Sequence, residues 1–118
     1  MTEPIKYTLK HVGINTEDAA DAEKLLKLVC YLFNLQPGAD NDIRVFAPPL
    51  FEIMKGKGRG RNGHIGLATP DVEAAMKELS AKGIEFNEKT IRRNDEGKII
   101  FIYFKEDIAG FAFHLTQA

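Results

Sequence analysis

The chain contains one sixteen-residue pattern twice, at residues 11–26 and 64–79, and each copy begins with a histidine. Aligned at a constant offset of 53 positions, HVGINTEDAADAEKLL and HIGLATPDVEAAMKEL share seven identities. Two further positions exchange one branched apolar residue for another. Internal self-similarity of this kind is the signature of a duplicated structural unit. The fold should therefore consist of two similar modules, and a chain of 118 residues is long enough for one domain built from them.

Each half has the pattern of a strand, then an amphipathic helix, then further strands. In the first half we expect a strand at 7–15, a helix at 18–33, and short strands at 43–47 and 50–55 on either side of Pro48-Pro49. In the second half we expect strands at 64–68, 86–93, 98–105 and 110–116, and a helix at 70–82. Thr69 should be the N-cap of that helix and Gly83 its stop. The pattern predicts an α+β fold of duplicated βαβββ modules, the first with its second strand shortened near 35–39.

The expected organisation is a single domain over residues 1–118. Module one covers about 7–55, a glycine-rich hinge about 56–63, and module two about 64–118.

Composition excludes several partners. The net charge is −1 and the pI about 6.3, so nothing predicts nucleic-acid binding. No apolar run approaches the ~18 residues of a membrane span. The single cysteine, Cys30, cannot form an internal disulfide, which favours a cytoplasmic location.

Four polar side chains occupy equivalent points of the two modules. Side chains alternate across a strand, so if the bulky Val12 and Ile14 pack beneath a helix, His11 faces the other way. The same argument applies to His64, and to Glu52 and His114, which stand between apolar residues in FEI and FHL. All three histidines of the chain and one glutamate should therefore share a face.

Imidazole and carboxylate together suit one divalent transition metal, namely zinc, nickel, iron, manganese or cobalt. The alternative is a polar cup whose histidines only hydrogen-bond a ligand or water.

Four motifs, LKHVGINT, LFEIMKG, NGHIGLATPDVEAAMKELSAKGIEF and GFAFHLTQ, occur in an order and spacing that resemble the vicinal oxygen chelate superfamily. That superfamily includes glyoxalase I, extradiol dioxygenases and the fosfomycin- and bleomycin-resistance proteins. The resemblance implies mixed sheets that curl into a cup-shaped half-barrel with the helices outside, and commonly a homodimer. It implies the metal ligands His11, Glu52, His64 and His114. In glyoxalase I the last of these positions is usually glutamate, whereas this chain has His114.

The resemblance implies a glyoxalase-like metal-dependent lyase or isomerase acting on a small α-hydroxycarbonyl or α-keto compound, with anionic compounds included. The reaction would pass through a metal-stabilised enediolate, and Glu52 or His114 would shuttle the proton. The main alternative is a non-catalytic binding or resistance module, and a dioxygenase is a further one. A fainter resemblance is to sequences labelled 2-keto-3-deoxyphosphogluconate or 4-hydroxy-2-oxoglutarate aldolase, although the chain is too short for an aldolase barrel.

The basic run KGKGRGR at 55–61 lacks the spacing of a P-loop, and we expect a solvated hinge. An alternative is that Arg59, Arg61, Arg92 or Arg93 attracts an anionic substrate.

Overall fold

A computed structural model describes residues 4–118 and confirms the predicted α+β class. The elements in chain order are β1 (Thr8–Asn15), α1 (Ala19–Phe33), β2 (Arg44–Ala47), β3 (Phe51–Met54), β4 (Gly63–Thr69), α2 (Val72–Ala81), β5 (Phe86–Arg93), β6 (Ile99–Phe104) and β7 (Phe111–Gln117). The strands form one mixed sheet in the order β2-β3-β1-β4-β7-β6-β5, which is an open half-barrel because its edges do not meet.

The sheet repeats its pairing on either side of a central antiparallel pair, β1 with β4. On one side β1 pairs in parallel with β3, and on the other β4 pairs in parallel with β7. Beyond these, β2 and β6 are antiparallel to β3 and β7. This arrangement has the approximate twofold symmetry that the sequence repeat predicts.

The symmetry is incomplete at one end of the sheet, where β5 has no full counterpart beside β2. The equivalent segment makes only short contacts: the Gly38 amide donates to the Phe46 carbonyl at 2.8 Å, and the Phe46 amide donates to the Ala39 carbonyl at 2.9 Å. The prediction that the second strand of module one is shortened is therefore confirmed.

The two helices pack on one face of the sheet, each over its own module. The core under α1 includes Ala22, Val29 and Ile53, and the core under α2 includes Val72 and Leu115. Strand residues of the opposite parity consequently face away from the helices. Within residues 4–118 neither helix is long and apolar enough to cross a membrane.

Both helices begin at an aspartate from the repeated pattern. Asp18 accepts a hydrogen bond from the Asp21 amide at 2.9 Å, and Asp71 accepts one from the Ala74 amide at 3.1 Å. The predicted N-cap Thr69 is wrong. The parallel pairing of β4 with β7 continues to the last residue of β4, which keeps Thr69 extended and places its buried side chain under the sheet end.

Candidate metal centre

The pairing register of the four central strands brings His11, Glu52, His64 and His114 together. Gly13 in β1 lies opposite Glu52 of β3 on one side and His64 of β4 on the other. Gly66 in β4 lies opposite His11 of β1 and His114 of β7. Each glycine thus separates two of the four groups, and the four predicted residues meet within one chain.

The atoms that could bind a metal converge in the gap above these glycines. The Nε2 atom of His11 is 3.0 Å from that of His64 and 3.2 Å from that of His114. The carboxylate of Glu52 closes the set, with Oε2 3.6 Å from Nε2 of His11 and Oε1 3.6 Å from Nε2 of His64. His64, His114 and Glu52 are buried, and His11 is partly buried.

The two glycines leave room that any larger residue would fill. A Cβ atom at Gly13 would lie 2.0 Å from Cε1 of His64. A Cβ atom at Gly66 would lie 2.7 Å from both Cε1 and Nε2 of His114 and 3.0 Å from Cε1 of His11. The repeated motif His-x-Gly therefore supplies both a histidine and the space for histidine rings from neighbouring strands.

The protonation states of the groups suit metal binding at neutral pH. Burial and the neighbouring His11 and His64 lower the pKa of His114 to about 4. Burial also lowers the pKa of His11, against the opposing effect of Glu52. Burial alone would raise the pKa of Glu52, but contacts with His64, His11 and Arg44 outweigh it and lower that pKa. His11 and His114 therefore present neutral imidazoles, and Glu52 presents a carboxylate.

The distances between the donor atoms can be compared with those expected around a transition-metal ion. For metal–nitrogen bonds of about 2.0–2.1 Å in a tetrahedron, neighbouring ligand atoms are about 3.3 Å apart. Four contacts in the set, two between histidines and two from Glu52 to a histidine, run from 3.0 to 3.6 Å, on both sides of that value. The donor atoms of all three histidines lie within 4.8 Å of one another. Three imidazoles and one carboxylate are also ligand types that such ions accept. The three histidines could therefore form a metal site. Glu52 contacts two of them and is the candidate for a further donor.

Side chains on the outer strands brace the last-strand ligand of each module, and sequence reasoning did not identify them. Arg44 lies opposite Met54, two residues beyond Glu52, and its Nε is 3.1 Å from Glu52 Oε1. That contact is an ion pair rather than a well-directed hydrogen bond. In module two Phe101 occupies the equivalent register position, opposite Thr116, and its ring centroid is 4.6 Å from that of His114.

A cavity of about 440 Å³ opens over the four groups. Four basic side chains line it, Arg44, Lys57, Arg59 and Arg92. Of the four arginines that the sequence analysis named as candidates for binding an anionic substrate, two line the cavity and two do not. Arg59 and Arg92 line it, whereas Arg61 lines a different cleft and the Nη1 atom of Arg93 donates to the Gly97 carbonyl at 2.8 Å.

Comparison with known proteins shows a shared fold. No protein-family model matches the sequence, and no curated protein matches it. Among solved structures, a hypothetical protein from Bacillus halodurans C-125 has a TM-score of 0.64 and 14% identity, over 96% of this chain and 95% of that one. Methylmalonyl-CoA epimerase from Mycobacterium tuberculosis has a TM-score of 0.58 and 16% identity, over 92% and 86%.

A further methylmalonyl-CoA epimerase, solved in complex with methylmalonyl-CoA and NH4+, has a TM-score of 0.58 and 14% identity, over 93% of each chain. At such identities the likeness establishes the half-barrel architecture and not the activity. The comparisons give no support to the fainter resemblance to aldolase-labelled sequences.

Proposed function

We propose that the chain is a divalent-metal-dependent isomerase or lyase of the vicinal oxygen chelate superfamily, which moves a proton next to a carbonyl group of a small substrate. The observation that carries the proposal is the convergence of the three histidine donor atoms within 4.8 Å of one another, with the Glu52 carboxylate 3.6 Å from two of them. The similarity in fold to methylmalonyl-CoA epimerases also supports it.

His11, Glu52, His64 and His114 would hold the metal, because they supply the neutral and anionic donors that it requires. When bound, a zinc, nickel, iron, manganese or cobalt ion supplies a Lewis acid that stabilises negative charge on neighbouring substrate oxygens. The protein's own contribution is to hold these donors on four adjacent strands. It also surrounds the substrate with the basic wall of the cavity.

Glu52 is the better candidate for the group that accepts the substrate proton. The His114 ring is confined, because its centroid is 4.6 Å from that of Phe101 and 5.0 Å from that of Tyr103, and the residue is 2% exposed. Glu52 is held by polar contacts instead. When one oxygen leaves those contacts, the causes that lower its pKa weaken, and the carboxylate becomes a stronger base.

The substrate proposed is a small α-hydroxycarbonyl or α-keto compound, or a thioester such as the methylmalonyl-CoA named for the structural neighbours. We also propose a cytoplasmic location, in keeping with the free thiol of Cys30. The homodimer expected from the resemblance would not be needed to complete the site, because one chain supplies all four donors.

Elemental analysis of protein purified without chelator tests the metal, and we expect about one transition-metal ion per chain. Exchange of the α-proton for deuterium, followed by proton NMR on a panel of candidate substrates, then tests the chemistry. We expect Glu52→Gln to abolish the exchange of the α-proton while the protein keeps part of its metal content. Glu78→Gln is the matched control, since Glu78 lies outside the cavity and accepts a hydrogen bond from the Tyr7 hydroxyl at 2.8 Å.

The outcomes separate the alternatives. Protein that binds no metal, and whose ligand-induced thermal stabilisation is unaffected by chelator, would be the non-catalytic binding module. Oxygen uptake with a catechol and ferrous iron would identify a dioxygenase instead.

A further inference from the structure

We infer that Arg59 and Arg92, held on the aromatic rings of Phe101 and Tyr103, form a subsite for an oxyanion group of the substrate beside the candidate metal centre. The inference rests on the proposed function, which it deepens by naming the class of substrate. The group would be a phosphate or a carboxylate, since both present the paired oxygens that a guanidinium recognises.

The subsite is built on one strand. Phe101 and Tyr103 are two residues apart in β6, so they project from the same face, and their ring centroids are 5.4 Å apart. We call these two rings the aromatic shelf. The same rings flank His114, which places the aromatic shelf directly beside the candidate metal ligands.

Two separate segments each bring one arginine to the aromatic shelf. The guanidinium carbon of Arg59, from the hinge between the modules, is 4.6 Å from the centroid of Tyr103. The guanidinium carbon of Arg92, from β5, is 4.7 Å from the centroid of Phe101. A guanidinium stacked on a ring keeps its N–H edge free to donate, and the stacking fixes its direction in advance.

The charges around the cavity are unbalanced in a way that favours an anion. Glu52 is the one carboxylate among the residues that line the cavity, and Arg44 already contacts it. Over residues 4–118, no acidic side chain forms a salt bridge with Arg59, Arg92 or Lys57. Among the described residues, three cationic side chains therefore line the cavity without a salt-bridge partner, although Lys57 also lines a second cleft beside Glu17 and Asp21.

The distance between the candidate metal centre and the two arginines is one that a single small molecule can span. Arg59 is linked to the His114 ring through Tyr103, and Arg92 through Phe101. The distance from each guanidinium carbon to the centroid of His114 is therefore at most the sum of the two separations on that route, about 10 Å. An extended chain of about seven or eight bonds of ~1.5 Å covers that distance. A compound with a carbonyl at one end and an oxyanion at the other would therefore reach from the donors to the arginines on the aromatic shelf.

The test is calorimetric titration of inorganic phosphate, and separately of malonate, into chelator-treated full-length protein. The variants are Arg59→Gln and Arg92→Gln. The matched controls are Arg61→Gln, from the same hinge, and Arg93→Gln, from the same strand, because neither side chain lines the cavity. We expect Arg59→Gln and Arg92→Gln each to weaken anion affinity about 10-fold and the double variant to weaken it about 100-fold. The two control variants should change anion affinity less than about 2-fold.

The relative affinity for the two probes identifies the source of the oxyanion, with tighter phosphate indicating a phosphate ester and tighter malonate a carboxylate. The inference would be overturned if the unaltered protein bound neither anion. It would also be overturned if the control variants lost as much anion affinity as Arg59→Gln and Arg92→Gln. A parallel zinc titration keeps the two proposals apart. If the unaltered protein binds zinc but its anion affinity does not depend on the two arginines, only the subsite proposal is wrong. If the unaltered protein does not bind zinc, the proposed function is wrong.

Discussion

Replacing Gly13 with alanine should destabilise the metal-free chain by about 2–3 kcal/mol, the upper part of the range for overpacked sites. The cost should act entirely through His64. The new Cβ would lie 2.0 Å from Cε1 and 2.2 Å from Nδ1 of that ring, whereas ordinary contact begins at 3.4 Å. The ring must therefore retreat by about 1.4 Å, yet its side chain is only 6% exposed and has little space to enter.

The backbone at Gly13 gives no independent reason for a cost, because its φ is not positive. Where the conformation is compatible, exchange of glycine for alanine stabilises a chain by about 0.4–1 kcal/mol through the unfolded state. In a His64→Ala background the same substitution should accordingly be neutral or stabilising.

Urea denaturation of the four proteins of this double-mutant cycle, each with chelator present, measures the coupling. We expect a coupling energy of about 2–4 kcal/mol, at the upper end of the range for residues in direct contact. An equal cost of Gly13→Ala in both backgrounds would refute the argument, because the loss would then come from the strand and not from the histidine ring.

Three further outcomes are expected. His11→Ala should weaken zinc affinity about 100- to 1000-fold by calorimetry, because one of four ligands carries about a quarter of a binding free energy near 10–16 kcal/mol. The pKa of His114 is about 4 in the folded chain and 6.5 when exposed, so the unfolded chain binds the extra proton. Metal-free stability should be full above pH 6.5 and fall towards pH 4 by up to ~1.4 kcal/mol per unit; denaturation at several pH values should show a smaller slope for His114→Gln. Finally, thermal unfolding should show Asp71→Ala losing about 1 kcal/mol as a missing helix cap. Thr69→Val should be neutral or stabilising, because its buried hydroxyl has no hydrogen-bond partner among the described residues.

The sequence predicted the fold and the four candidate ligands because both follow from strand alternation in a repeated pattern. His11 and His64 lie in the equivalent first strands of the two modules, and Glu52 and His114 stand between apolar residues in the equivalent last strands. Alternation fixes the face of each, and the repeat implies the pairing that brings the faces together.

The residues around the ligands could not be predicted in the same way, since they depend on cross-strand register. Arg44 and Phe101 carry no shared sequence motif, and only their positions opposite Met54 and Thr116 reveal that they are equivalent. The choice between Thr69 and Asp71 as a helix cap was similarly decided by pairing, because β4 stays hydrogen-bonded to β7 up to its last residue.

The division of the donors between the modules bears on how the charge of such a centre can change. Module one contributes an imidazole and a carboxylate, whereas module two contributes two imidazoles. Two copies of module one docked about the same axis would offer donors of total charge −2, and two copies of module two would offer a neutral set. The present chain has −1, so a single exchange between glutamate and histidine at the last-strand position of one module would change the charge of the donor set by one unit.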